Sequence, residues 1–156
     1  TTSTSFACDL RKWLDIMQAY ENGGHAYHAT MPTDSLVRFR DTLLELEELG
    51  FENACLRQQE LGSRVRNVLA SKGIRSVAAD GFAAPGVVVA YTSDADIKSG
   101  KKFAEVGVQI AAGVPLMCDE PDDFQTFRLG LFGLEKLKSV DSTVASLEKA
   151  LNNVLD

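Results

Sequence analysis

Apolar residues in the first part of the chain recur at the three- and four-residue intervals of an amphipathic helix. The first such stretch covers residues 7–21 and ends at Glu21-Asn22-Gly23-Gly24, since asparagine and glycine favour helix termination. Its apolar face consists of Leu10, Trp13, Leu14 and Met17. No neighbouring segment is expected to cover Trp13 and Met17, so this helix is predicted to belong to another domain.

Two longer helices are predicted next. The second follows Pro32, with Thr33 or Asp34 as its cap, and ends at Gly50, while the third covers residues 52–71. The positions expected to face inward are Leu36, Phe39, Leu43 and Leu46 in the second helix and Ala54, Leu61, Val65 and Val68 in the third.

Beyond Gly73 the pattern changes to short apolar runs and alternation, which predict strands. Strands are expected over residues 74–78, 87–91 and 105–110 and around Arg128, with helices over residues 94–104 and 141–155 and a loop over 111–125. The inward positions of the last helix are Val144, Leu147, Leu151 and Val154. This order predicts an α/β fold with α+β layering, in which helices cover a three- to four-stranded sheet.

Charge and composition narrow the classes of partner. The 156 residues carry a formal net charge of -6 with a pI near 4.9, which disfavours nucleic acid or an anionic membrane as the main partner. No apolar run approaches the roughly 20 residues of a membrane span. The three cysteines lack CxxC spacing and predict neither a zinc site nor a disulfide framework. These features predict a cytoplasmic protein, and an initial Thr indicates a processed or shortened chain.

Arg128 is the main candidate for a binding residue. It is the only charged residue between positions 124 and 134, in the run Phe127-Arg128-Leu129-Gly130-Leu131-Phe132-Gly133. A guanidinium keeps its charge, so an apolar setting requires an anion, and its planar fork suits a carboxylate. The alternative is a structural arginine at a strand edge, reaching solvent or an aspartate.

Tyr27-His28-Ala29-Thr30 is a second candidate, on a segment without periodicity. A phenol, an imidazole and a hydroxyl can donate hydrogen bonds to a phosphate or carboxylate, although a solvent-exposed loop explains the same residues. His25 and His28 lack neighbouring acidic or cysteine ligands, so no metal site is predicted.

Cys118 precedes an acidic run, Asp119, Glu120, Asp122 and Asp123. Nearby carboxylates raise a thiol pKa, so an inert cysteine is favoured over a nucleophile. The acidic run itself is interpreted as a solvated loop or, less often, as a lid that organises the nearby arginine.

Two of these motifs carry a family resemblance: Tyr27-His28-Ala29-Thr30-Met31-Pro32 and, after a long helix, the Arg128 strand with its closing helix. Together they resemble the C-terminal part of class V, fold-type I aminotransferases dependent on pyridoxal phosphate, of the alanine–glyoxylate and serine–pyruvate kind. The resemblance covers essentially the whole chain. It implies an aspartate-aminotransferase-like C-terminal domain, a homodimer, and amino-group transfer between a small amino acid and a 2-keto acid.

The resemblance also implies residue roles. Tyr27 and Thr30 match positions that reach the cofactor phosphate of the partner subunit, and Arg128 matches the arginine that binds the substrate carboxylate. The family's Schiff-base lysine lies upstream, and none of the eight lysines here matches its context. Residues 1–32 are therefore expected to be a remnant of the large cofactor-binding domain, and residues 33–156 the linking helix and small domain. The fragment alone is expected to be inactive, with no catalytic residue of its own.

Two alternatives remain. One is another class V enzyme, such as a cysteine desulfurase with Cys118 as acceptor, although the cysteine loop of that subfamily is Ser/Gly/Ala-rich and lies farther upstream of the arginine. The other is a non-catalytic α/β module that binds a small acid. A self-contained module would need neither the Tyr27–Thr30 loop nor the first helix.

Overall fold

The computed structural model describes residues 4–6, 8–30 and 32–155. The chain divides into two compact units, Thr1–Leu43 and Leu44–Asp156. The boundary falls within one helix, and each unit is described by itself below.

The first unit holds helix α1 (Leu10–Glu21), the irregular segment after it, and most of helix α2 (Thr33–Leu49). The Asp9 side chain accepts a hydrogen bond from the Lys12 backbone N–H and so caps α1. Both helices occur where their periodicity predicts them. Neither helix contains a fully buried residue, and Leu10, Met17, Leu36 and Phe39 on their apolar faces are exposed. At the end of α2, Leu46 and Leu49 pack against the core of the second unit.

The second unit contains the end of α2 and eight further helices and strands within the described residues. In chain order these are α3 (Phe51–Ser71), β1 (Val87–Tyr91), α4 (Ala95–Ser99), α5 (Lys101–Glu105), β2 (Ala111–Ala112), β3 (Thr126–Gly130), α6 (Leu134–Lys138) and α7 (Val140–Leu155). The long helices α3 and α7 and the strands β1 and β3 match the sequence predictions.

The sheet has three strands in the order β1-β3-β2, and both pairings are antiparallel. Along β3, Phe127 and Leu129 are 1% and 4% exposed and share the core with Val88 and Ala90 of β1. Side chains alternate between the faces of a strand, so Arg128 points to the opposite face. The strand that carries Arg128 therefore lies inside the sheet, as predicted.

One cluster of buried side chains holds the second unit together. Leu61, Val65 and Leu69 of α3 pack with Leu151 and Val154 of α7, and these join the buried residues of the sheet. The inward positions predicted for α3 and α7 all belong to this cluster or pack against it. The mixed α/β fold with a covered three-stranded sheet is thus confirmed.

Four local predictions are wrong. The loop predicted over residues 111–125 begins with the two-residue strand β2, which pairs with β3. Residues 74–78 form no strand, because only Ser76 bridges to Ala90 before the chain turns away. Residues 105–110 form none either, since α5 extends to Glu105 and Gly107 turns the backbone with φ 77°.

The helix predicted over residues 94–104 is two short helices, capped at its start by Asp94. Gly100 separates them with φ 84°, a left-handed conformation that interrupts an α-helix.

Candidate functional site

Arg128 lies at the centre of the sheet, with Val89 of β1 on one side and Ala111 of β2 on the other. Its side chain is half-buried. A strand-edge position, one alternative considered above, is therefore excluded, because β3 pairs on both sides. Its neighbours in the strand, Phe127 and Leu129, occupy the core and hold the backbone in place.

The Arg128 side chain is held by a backbone group. Its Nε donates a hydrogen bond to the Ala112 carbonyl oxygen at 2.8 Å. Within the described ranges, no carboxylate lies within ion-pair distance of Arg128, and no hydrogen bond engages its two terminal nitrogens. The planar fork is thus oriented at one end and free to meet an anion at the other.

An open pocket of about 520 Å³ lies at the start of β3, and Arg128 does not line it. Lys98, Gly113 and Thr126 line it, together with residues of the 114–124 loop. Thr126 and Arg128 are two residues apart on β3 and so share a face of the strand. Through Thr126 the pocket adjoins the strand that carries Arg128.

The acidic loop is organised by one of its own carboxylates. Glu120 Oε1 accepts hydrogen bonds from the backbone N–H groups of Leu116 and Met117, at 2.6 and 3.0 Å, and Oε2 accepts from Cys118 at 2.8 Å. These backbone donors, that of Cys118 first, lower the pKa of Glu120 to about 2. The carboxylate thus braces the loop and forms no ion pair with Arg128.

Cys118 lies in this braced loop and remains exposed. Desolvation by the surrounding loop atoms, followed by the Glu120 carboxylate, raises the pKa of its thiol. The direction agrees with the prediction of an unreactive cysteine, although desolvation contributes more than the acidic charge. Little thiolate forms at neutral pH under these conditions.

The Tyr27–Thr30 segment lies in the first unit and is irregular, as predicted. The Tyr27 hydroxyl and Thr30 Oγ1 are 3.3 Å apart, so the structure brings these two predicted site residues together. Tyr27 is 81% exposed. Two adjacent hydroxyls at a surface can donate to the oxygens of one phosphate group.

The His28 ring, in contrast, lies against aromatic side chains. Its ring lies 4.4 Å from that of Phe6 and 5.2 Å from that of Trp13, and Nε2 is 3.4 Å from the Phe6 carbonyl oxygen. The imidazole therefore partly covers Trp13, for which no local cover was expected. In the described residues, no group of three or more His, Cys, Asp or Glu side chains is arranged to hold a metal ion.

The described helices include none with the length and apolar character needed to cross a membrane.

Known proteins of similar fold place this geometry in context. No protein-family model matches the chain. An alanine–glyoxylate aminotransferase from Nostoc sp. superposes on 100% of this chain with a TM-score of 0.77 and 19% identity. A ureidoglycine–glyoxylate aminotransferase from Bacillus subtilis superposes on 98% with a TM-score of 0.67 and 20% identity. The chain corresponds to 39% and 38% of those two structures. Its fold is thus that of the C-terminal portion of such enzymes.

Sequence similarity points to the same group. The alanine–glyoxylate aminotransferases of Callithrix jacchus and Felis catus are 24% and 23% identical to 98% and 97% of this chain. The chain spans 37% and 36% of their lengths, a little over a third. These findings confirm the resemblance to this kind of aminotransferase that the two motifs indicated.

Two features of the site could not be derived from the sequence. The Ala112 carbonyl contacts Arg128 across 16 residues of chain, and its strand β2 has only two residues, too few to produce alternation. The bracing of the acidic loop by Glu120 depends on left-handed backbone at Met117 and Asp119, both with φ 60°. Aspartate tolerates that conformation, whereas methionine gives no such signal.

Proposed function

We propose that this chain is the C-terminal part of a pyridoxal-phosphate-dependent aminotransferase. The parent enzyme moves an amino group between a small amino acid and a 2-keto acid, of the alanine or serine to glyoxylate or pyruvate type. One observation carries the proposal: Arg128 on the central strand is fixed at Nε, while its terminal nitrogens have no hydrogen-bond or ion-pair partner among the residues that the structure describes. The similarity to aminotransferases over nearly the whole chain supports it.

Arg128 is the proposed substrate-binding residue. Its two terminal nitrogens donate parallel hydrogen bonds to the carboxylate shared by amino and keto acids. Because both substrates carry this group, one arginine serves both halves of a transamination. Two-point binding also fixes the orientation of the substrate, which lowers the entropic cost of reaction.

Tyr27 and Thr30 are the proposed cofactor-binding residues. Their hydroxyls are 3.3 Å apart on an exposed segment, which fits two donors to a single phosphate. In the homodimer that we propose for the parent, they contact the cofactor phosphate of the partner subunit. Pyridoxal phosphate supplies the electron sink for breaking the bond to the substrate's α-hydrogen. Residues 1–32 then belong to the cofactor-binding domain, and residues 33–156 form the linking helix and small domain.

The chain by itself is proposed to be inactive. None of its eight lysines matches the context of the lysine that holds the cofactor and moves the proton in this family. We therefore expect no single lysine to be labelled when the chain is mixed with pyridoxal phosphate, reduced with borohydride and peptide-mapped. Stoichiometric labelling of one lysine with turnover of alanine and glyoxylate contradicts this. We also propose that the parent enzyme is located in the cytoplasm.

The role of Arg128 is tested in the full-length parent with two variants. Arg128→Ala is expected to lower kcat/KM for amino acids by the equivalent of about 3–5 kcal/mol, since it leaves the carboxylate without its partner. Arg128→Lys retains the charge but loses the fork, so an intermediate loss is expected. The matched control is Arg75→Ala, which removes an exposed arginine stacked over Tyr91 in the same unit.

A second substrate separates binding from stability. An amine that lacks a carboxylate has nothing for Arg128 to bind, so its turnover should change little in either variant. Equal losses with both kinds of substrate, together with a lower Tm, would instead make Arg128 a structural residue. That result would also favour the alternative function, a non-catalytic α/β module that binds a small acid.

A further inference from the structure

We propose that Gly113 is a positioning residue for Arg128, acting through the carbonyl of Ala112. The inference rests on the proposed carboxylate-binding role of Arg128 and concerns how the guanidinium is aimed. Gly113 and Ala112 have no side-chain group that can form a hydrogen bond with a substrate carboxylate. Their contribution is the position of one backbone oxygen.

The first step is the short strand β2. It pairs with β3 through only two residues, Ala111 opposite Arg128 and Ala112 opposite Phe127. Immediately after it, Gly113 passes very close to Thr126. A Cβ built on Gly113 would lie 1.8 Å from the Thr126 carbonyl oxygen and 2.5 Å from its carbonyl carbon. Both are backbone atoms of β3 and cannot rotate away, so the approach requires glycine.

The second step is the hydrogen bond that this approach permits. Ala112 directs its carbonyl oxygen at Arg128 Nε, 2.8 Å away. Since a guanidinium is planar, fixing Nε restricts the plane of the group and the direction of its terminal nitrogens. The Gly113 N–H also donates to the Lys98 carbonyl oxygen at 3.2 Å, which ties the end of β2 to α4.

The consequence is specific to one position. A side chain at residue 113 must push β2 away from β3, and the Ala112 oxygen moves with it. The guanidinium then keeps its charge but loses its orientation. Another glycine on the same sheet provides the contrast: apart from its two neighbours in the chain, a Cβ on Gly130 would come no closer to a described residue than 3.9 Å, to the Phe132 ring, which is an ordinary contact distance.

The experiment uses NMR on the full 156-residue chain and compares Gly113→Ala with Gly130→Ala. In the wild type, the Arg128 Nε–H should exchange slowly with water and show scalar coupling to the Ala112 carbonyl carbon. Gly113→Ala should abolish the coupling and accelerate exchange about tenfold, as expected for the loss of one hydrogen bond. Gly130→Ala should retain both signals.

Acetate is the carboxylate probe. Its Kd, followed at the Arg128 side-chain resonances, should rise about tenfold in Gly113→Ala, on the scale of one hydrogen bond. In an Arg128→Lys background, which lacks the guanidinium plane, Gly113→Ala should have no further effect on acetate binding. Additive losses in that double variant would indicate a general structural role and overturn the inference.

The remaining outcomes are also decisive. Absence of the Arg128–Ala112 coupling in the wild type overturns the inference, even if Gly113→Ala does not fold. Unchanged coupling and acetate affinity in Gly113→Ala overturn it as well and leave the carboxylate role of Arg128 intact. A wild type that shows the coupling but does not bind acetate contradicts the proposed function, while loss of the coupling in Gly113→Ala still supports the positioning of Arg128.

Discussion

The two compact units of this chain have equally clear helical patterns but differ in burial. In the first unit, α1 presents Leu10 and Met17 on one face, yet these residues are 79% and 59% exposed. In the second, Leu61 of α3 is completely buried. Periodicity records that a face is apolar, whereas burial requires a complementary surface. A helix can therefore be predicted from its own sequence, but its burial depends on what covers it.

Local stability provides the largest contrast between the units. We expect hydrogen exchange in the isolated chain to show the described residues before α2 as the least protected ordered region. Amides there should open at a free energy near zero, while those of β1, β3 and α3 approach the global free energy of unfolding. Amide exchange measured by mass spectrometry checks this. Uniform protection along a monomeric chain contradicts the comparison.

A matched pair of leucines sharpens the contrast. Leu61→Ala should lower the free energy of unfolding by about 2–5 kcal/mol, because it leaves a cavity where α3 meets α7 and the sheet. Leu10→Ala should change it by less than about 0.5 kcal/mol, since that side chain is already in solvent. Chemical denaturation of both variants measures the difference. Similar losses for the two would show that α1 is covered in solution.

Long periodic elements were predictable from the sequence, whereas elements that depend on contacts distant in the chain were not. Helices α3 and α7 each bury a stripe repeated over several turns, so many residues specify them. The helix predicted over residues 94–104 instead breaks at Gly100, where the backbone is left-handed. A Cβ at that glycine would lie 3.1 Å from Ile110 Cγ1, a neighbour that periodicity cannot reveal.

The same limit applies to the candidate site. Arg128 was identifiable because it is one charge in an apolar strand, and Tyr27 and Thr30 because their residue types suit a phosphate. The Ala112 carbonyl offered no sequence signal, since every residue has one. The segment over residues 74–78 shows the reverse case, in which the sequence predicted an element that did not form. The Val77 N–H donates to the Val89 carbonyl oxygen and the Tyr91 N–H donates to the Arg75 carbonyl oxygen, but the segment makes only an isolated bridge to β1 and no continuous strand.

Cofactor retention tests whether the exposed first unit has a function of its own. In the full-length parent, Tyr27→Phe and Thr30→Ala should each weaken pyridoxal phosphate binding by about 1.5–3 kcal/mol, the range for a hydrogen bond to a charged group. The effect on kcat at saturating cofactor should be smaller. Cofactor titration measures both, with Tyr20→Phe, another exposed tyrosine, as control.

The proposed contact across the subunit boundary adds a second test. A heterodimer with Thr30→Ala in one subunit should lose cofactor from the opposite site. If Tyr27→Phe and Thr30→Ala both leave the affinity for pyridoxal phosphate unchanged, Tyr27 and Thr30 are ordinary loop residues with no role in cofactor binding.

The smallest expected effect lies in the second unit, in the loop braced by Glu120. Backbone donors hold the pKa of this carboxyl at about 2, below its ordinary value of 4.5, so the charged form is favoured in the folded loop. The bracing should therefore be complete above about pH 4.5 and lost as the pH falls through about 2. Carboxyl carbon resonances and the exchange of the Leu116, Met117 and Cys118 amides report it. Glu120→Gln should remove this pH dependence and leave the exchange of β3 unchanged. If the Glu120 resonance titrates near 4.5, the carboxylate does not brace the loop, and the loop is then as weakly held as the exposed segments of the first unit.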